Sequence, residues 1–128
     1  MTFHLLTATT KKATSGIPVL LNNHSEYEVY LGYWNKTTGE WKVAGISDYV
    51  HRERFTHYAF LPSSFIDMPS DDFPVSRQVI LLDAKGMPYI GLWDAKTKAF
   101  TVDGWEGQKA AAAFAKYAEI PELPTVNH

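Results

Sequence analysis

The side chains best able to do chemistry in this chain crowd into ten positions: Asp48, His51, Arg52, Arg54 and His57, with Thr56 beside the last. An imidazole changes charge near neutral pH, so His57 has the chemistry of a general base or a metal ligand. Asp48, Arg52 and Arg54 around it would make a small hydrolase or a nucleotide-binding site. The spacing goes no further. His51 and His57 share a side only if the segment is extended, and no third His or carboxylate stands at a recognisable ligand spacing. The simpler expectation is that the His57 ring hydrogen-bonds backbone and fixes the end of a strand.

Other catalytic patterns are missing from the sequence. It has no nucleophile elbow and no carboxylate dyad, and Gly39, Gly86, Gly91 and Gly104 are scattered turn or close-approach glycines outside any phosphate loop. No catalytic residue, metal ligand or cofactor is therefore assigned. The candidate binding residues are Asp48, His51, Arg52, Arg54, His57 and Tyr30. Tyr30, Trp34, Trp41 and Trp93 could stack bases in a single-strand nucleic-acid binder. Twelve Lys and Arg against fourteen Asp and Glu, net charge −2, leave no basic groove for the phosphates. Core packing accounts better for these aromatics, and no nucleic-acid partner is expected. Asp67, Asp71 and Asp72 read as a solvated loop.

The elements that must position these residues come from the pattern. Four Trp, seven Tyr and seven Phe in 128 residues favour pleated sheet surfaces over a helical bundle. Residues 17–21 read as a buried strand. Alternation along residues 27–34 puts Tyr27, Val29, Leu31 and Tyr33 on one face and Glu28, Tyr30, Gly32 and Trp34 on the other. A turn opened by Asn35 and closed by Gly39 returns the chain through residues 40–43, which sets Trp34 opposite Trp41. At most a turn of helix is expected near residues 46–54, with residues 55–61 extended.

The second half repeats the first. Gly32, Trp34, Thr38, Val43, Gly45, Phe55, Tyr58, Ala59 and Pro62 recur as Gly91, Trp93, Thr97, Val102, Gly104, Phe114, Tyr117, Ala118 and Pro121, at a constant offset of 59 residues. One supersecondary unit has been duplicated, and two copies can bury faces that one could not. The second copy's first hairpin reads as two residues shorter. The copies also diverge near the end, where Asp103-x-x-Glu106 has capping-box spacing and residues 108–117 are alanine-rich, predicting a helix that stops before Pro121. The expected fold class is α+β: two repeated antiparallel β-meander units packed as one domain, with one C-terminal helix in the second. The first repeat spans residues 1–62, a connector laid onto the core through Phe65, Met68 and Phe73 spans 63–76, and the second repeat spans 77–128. Phe55, Tyr58, Phe114 and Tyr117 are expected in the core.

At residues 56–62, Thr-His-Tyr-Ala-Phe-Leu-Pro, the chain resembles a family of small phage and prophage proteins, the domain of unknown function numbered five-five-one. Its members share an aromatic near the start, a Val-Leu-Val-like strand, an aromatic-rich hairpin and a terminal Thr-His-Trp-Met-Pro-Leu-Pro. The counterparts here are Phe3, Val19-Leu20-Leu21, Gly32-Tyr33-Trp34 with Trp41, and residues 56–62. In the second copy Ala115 and Lys116 replace the Thr and His. The resemblance implies phage origin, a compact α+β fold and an accessory role, and it names no catalytic residues. The function expected is a non-enzymatic accessory protein that binds and modulates a host or defence-system protein, and that associates with itself. No cysteine, no basic leader and no long apolar run accompany these features, so a cytoplasmic protein with no membrane partner is expected.

Overall fold

The computed structural model describes residues 3–7, 15–69, 73–75 and 77–123. Asp71 and Asp72 of the expected solvated loop lie outside them. The chain divides into two compact units, Met1–Leu61 with Pro121–His128, and Pro62–Ile120. Each is built on its own antiparallel sheet.

The first unit contains β1 (His4–Leu5), β2 (Val19–Asn22), β3 (Tyr30–Asn35), β4 (Glu40–Val43) and β5 (His57–Phe60), in the sheet order β1-β5-β2-β3-β4. A single 3₁₀ turn, Arg52–Arg54, lies on the path from β4 to β5. The second contains β6 (Ile66–Asp67), β7 (Gln78–Leu82), β8 (Pro88–Asp94), β9 (Ala99–Val102), β10 (Gln108–Lys109) and β11 (Lys116–Glu119), in the order β10-β9-β8-β7-β11-β6. The order β5-β2-β3-β4 recurs as β11-β7-β8-β9, so the repeat read in the sequence is a repeat of topology.

Cross-strand register refines the offset. Leu21 pairs Tyr30 and Leu81 pairs Tyr89, so β2 and β7 correspond at 60 residues while the later strands keep 59. The second copy's first hairpin is thus one residue shorter, not two. Asn35 opens the second hairpin of the first unit by accepting from the Thr37 and Thr38 amides, and Gly39 closes it at φ 70°. Asp94 plays the same part on Lys96 and Thr97, and Lys98 takes the left-handed position at φ 55°. Trp34 and Trp41 meet across the first hairpin with ring centroids 5.1 Å apart.

One face of each sheet carries its aromatic core. In the first unit Val19, Leu21, Trp41, Val43, Phe55 and Tyr58 are buried together; in the second, Val79, Leu81, Trp93, Phe100, Val102, Phe114 and Tyr117 are joined by Phe73. Phe73 comes from the segment before β7 and sits 4.5 Å from Tyr117 and 5.1 Å from Phe100, ring centre to ring centre. Phe55, Tyr58, Phe114 and Tyr117 are all buried, as their spacing predicts.

The predicted C-terminal helix is not formed, and the α+β class gives way to two all-β units. Residues 108–117 instead supply β10, a single 3₁₀ turn at Ala111–Ala113 and the start of β11. Gly104 and Gly107 sit at φ 88° and 69°, left-handed positions that break the chain where the helix would begin. The remaining run is near the length at which even alanine-rich helices are marginal in water. Strand pairing of Tyr117 with Leu81 and Ala118 with Ile80 buries apolar groups that an isolated helix would leave exposed.

Phe114 packs its ring against Tyr89, Phe100 and Trp105. Phe114→Ala is expected to cost about 3 to 5 kcal/mol in chemical denaturation, as core aromatic truncations do. A loss below ~1 kcal/mol would contradict the core described here.

Candidate functional site

One end of the first sheet gathers the polar side chains. The loop between β2 and β3 carries His24, Glu26, Tyr27 and Glu28, and it meets the segment that brings Arg54, Thr56 and His57 to the start of β5. Asn22 holds the loop: fully buried, it donates from Nδ2 to the carbonyls of Glu26 at 3.2 Å and Glu28 at 2.9 Å. Asn23 ties the loop to the other segment by donating to the Arg54 carbonyl at 2.8 Å. Buried amides that bridge backbone groups in this way fix a loop that has no ladder of its own.

Arg54 forms a two-pronged ion pair with Glu26, Nη1 to Oε2 at 2.7 Å and Nη2 to Oε1 at 3.1 Å. Its guanidinium also lies 5.5 Å from the Tyr30 ring centre and 5.1 Å from that of Phe55. Partial burial works against the arginine's charge, and Glu26 more than offsets it, leaving the pKa above the ordinary value. Tyr30 donates its hydroxyl to Glu28 at 3.1 Å. Burial first, then that carboxylate, raises the Tyr30 pKa.

Thr56 is the junction. Its Oγ1 accepts from the His24 backbone N–H at 2.9 Å, lies 2.8 Å from His57 Nδ1 and 3.4 Å from His24 Nδ1, and is 3.4 Å from the Asn22 carbonyl oxygen. The two imidazoles stand edge to face, 6.5 Å between centroids. Burial, and after it the neighbouring His24, lowers the His57 pKa. The expected contact of the His57 ring with backbone is replaced by one with a side-chain hydroxyl.

Of the six binding residues expected from sequence, Tyr30, Arg54 and His57 come to this end of the sheet. His51 has a structural part: its Nδ1 accepts from the Glu53 amide and caps the 3₁₀ turn. Arg52 and Asp48 are exposed, and among the described residues neither makes a hydrogen bond or ion pair to the other four. Sequence reasoning did not single out His24 and Glu26, and it placed Tyr27 in a strand; β2 ends at Asn22 and β3 begins only at Tyr30, so all three lie on the loop between them. The signal was present in the repeat itself. Where the first unit has Arg54, Thr56 and His57, the second has Ala113, Ala115 and Lys116, and Leu82 stands in place of Asn22.

Two of the aromatics offered for base stacking are unavailable, since Trp41 and Trp93 are buried in the cores. Among the described residues no helix is long and apolar enough to cross a membrane. No family model matches the chain, and no curated protein or solved structure matches it significantly.

The lowered His57 pKa has a sign that can be measured. The unfolded chain takes up a proton near the ordinary histidine value of about 6.5, before the folded chain does, so this contribution to stability is complete above that value and is lost as pH falls through it. His57→Gln is expected to flatten that part of the profile, read as denaturation midpoints between neutral and mildly acidic pH. An unchanged slope in the variant would remove the assignment.

Proposed function

We propose that this chain is a non-enzymatic binding protein of phage or prophage origin, presenting the loop end of its first sheet to a host or defence-system protein in the cytoplasm. The observation that carries the reading is the difference between the two copies. Both keep the scaffold: Tyr30 and Tyr89, Gly32 and Gly91, Phe55 and Phe114, Tyr58 and Tyr117 are the same residues in the same places. The arginine, threonine and histidine are found in one copy only, so the fold does not require them.

The surface they make suits a protein partner. Tyr27 is 79% exposed at the loop tip, next in sequence to Glu26 and Glu28, which hold Arg54 and Tyr30. Tyrosine and arginine dominate the energetics of protein contacts, and side chains already fixed by ion pairs lose little freedom on docking. The near-balanced charge fits this better than a phosphate surface. Sequence resemblance over residues 1–62 supports the phage origin and the accessory role.

The reading is tested by capture from host lysate with mass spectrometry, comparing the wild type with Tyr27→Ala and Arg54→Ala. A partner held by the wild type and lost in both variants, typically by more than ~2 kcal/mol for a central anchor, is expected. Equal capture by all three would place the contact elsewhere, and substrate turnover abolished by His57→Ala would overturn the non-enzymatic reading. The proposal includes self-association as a two-fold dimer, the simplest closed assembly. Light scattering that gives a strict monomer would remove that part alone.

A further inference from the structure

We propose that Tyr30, Phe55 and Glu26 form a binding site for a flat cation of the guanidinium kind, which this chain fills with its own Arg54 to hold the loop of residues 23–29. The inference does not depend on the partner-binding reading. It starts from a slot that both units build. Tyr30 and Phe55 stand 5.6 Å apart by ring centre, and their counterparts Tyr89 and Phe114 stand 6.1 Å apart. Each pair meets a third planar group. In the first unit this is the Arg54 guanidinium, 5.5 Å from the Tyr30 ring centre and 5.1 Å from that of Phe55. In the second it is the Trp105 indole, 4.8 Å from Tyr89 and 5.5 Å from Phe114.

The two fillers come from different elements. Trp105 follows Gly104, at φ 88°, in a turn closed by its own N–H on the Val102 carbonyl at 3.1 Å. In the first unit that place belongs to Ile46, which follows Gly45 at the same φ and closes on the Val43 carbonyl at the same distance. The backbone is repeated and only the side chain differs. Ile46 is exposed, and Arg54 fills the slot instead, from a position where the second unit has Ala113. A slot filled by an indole in one copy and a guanidinium in the other selects a flat group that stacks on both rings, not one residue type.

Charge is what the first unit adds. Glu26 accepts from both Nη1 and Nη2 of Arg54, while the shorter hairpin of the second unit has Lys85 and Gly86 where that carboxylate would fall. Two aromatic faces attract a cation, and a carboxylate set to take two parallel N–H groups fixes its plane. An ammonium has the charge without the plane or the fork of donors. Tyr30, one wall of the slot, donates to Glu28, so the wall and its filling each hold one carboxylate of the same loop.

The test is amide hydrogen exchange on the full chain at residues 24–26, whose N–H groups are bonded to Thr56 Oγ1, Asn23 Oδ1 and the Asn23 carbonyl. Arg54→Ala is expected to speed this exchange about fivefold or more. Methylguanidinium in the millimolar range should restore protection saturably, ammonium at equal concentration should not, and Arg54→Lys should stay fast. Glu26→Ala, which leaves the slot filled, should speed the same amides without responding to methylguanidinium, and it decides the matter if Arg54→Ala does not fold. Arg77→Ala, the loss of an exposed arginine in the second unit, should leave the loop unchanged. Wild-type exchange in Glu26→Ala, full protection in Arg54→Lys, or a folded Arg54→Ala that methylguanidinium rescues no better than ammonium would each overturn the proposal.

Discussion

In each unit a leucine lies in the notch that a glycine leaves on the neighbouring strand. A Cβ at Gly32 would stand 2.5 Å from Leu21 Cδ1, and one at Gly91 would stand 2.4 Å from Leu81 Cδ1. Glycine in a strand interior costs about 0.5 to 1 kcal/mol relative to alanine, while an extra carbon in a filled core costs about 1 to 3 kcal/mol. The second figure wins, which is why the two glycines persist in strands otherwise rich in aromatics. Leu21 is buried in one cluster with Trp41 and Phe55, and Leu81 in one with Phe100 and Phe114, so each leucine and the aromatics of the fourth strand and of the returning segment share one core.

That arrangement explains what could be read from the sequence. Trp, Gly, Phe and Tyr at fixed spacing are the residues that make the notch and its cover, so the duplication, the hairpins and the buried aromatics were visible as a pattern of types. The alanine run was misread because helix propensity is local, whereas residues 114–118 obey the pairing and burial demanded by β7. Two glycines at positive φ then decide the contest. The polar end was half visible: Tyr30, Arg54 and His57 stand out as residues, but their partners His24 and Glu26 come from a loop over 25 positions earlier, and no local pattern announces that meeting.

Duplication also lets the chain serve as its own control. Trp41 is wholly buried with an indole N–H that has no partner, whereas the second unit puts Phe100 at that place. Leaving such a donor unpaired costs about 1 to 3 kcal/mol, so the second copy has the less strained solution of the same packing problem. Asn22 likewise keeps an unpaired buried oxygen where the second copy has Leu82. The first copy thus bears both the polar constellation and the poorer core, a combination expected where a site is retained at some expense of stability.

The outer edges of the two sheets end in fragments. His4–Leu5, Ile66–Asp67 and Gln108–Lys109 are strands of two residues, and β4 is covered by reciprocal hydrogen bonds between Trp41 and Val50. A chain that carries the same strand pattern twice is open to a particular error, in which a strand from one molecule is zipped onto its look-alike in another and the pairing propagates. Fragments this short offer an incoming strand too few backbone groups to hold it. A tandem of aromatic-rich sheets is in this way given edges poorly suited to templating, through six residues that add little to either core.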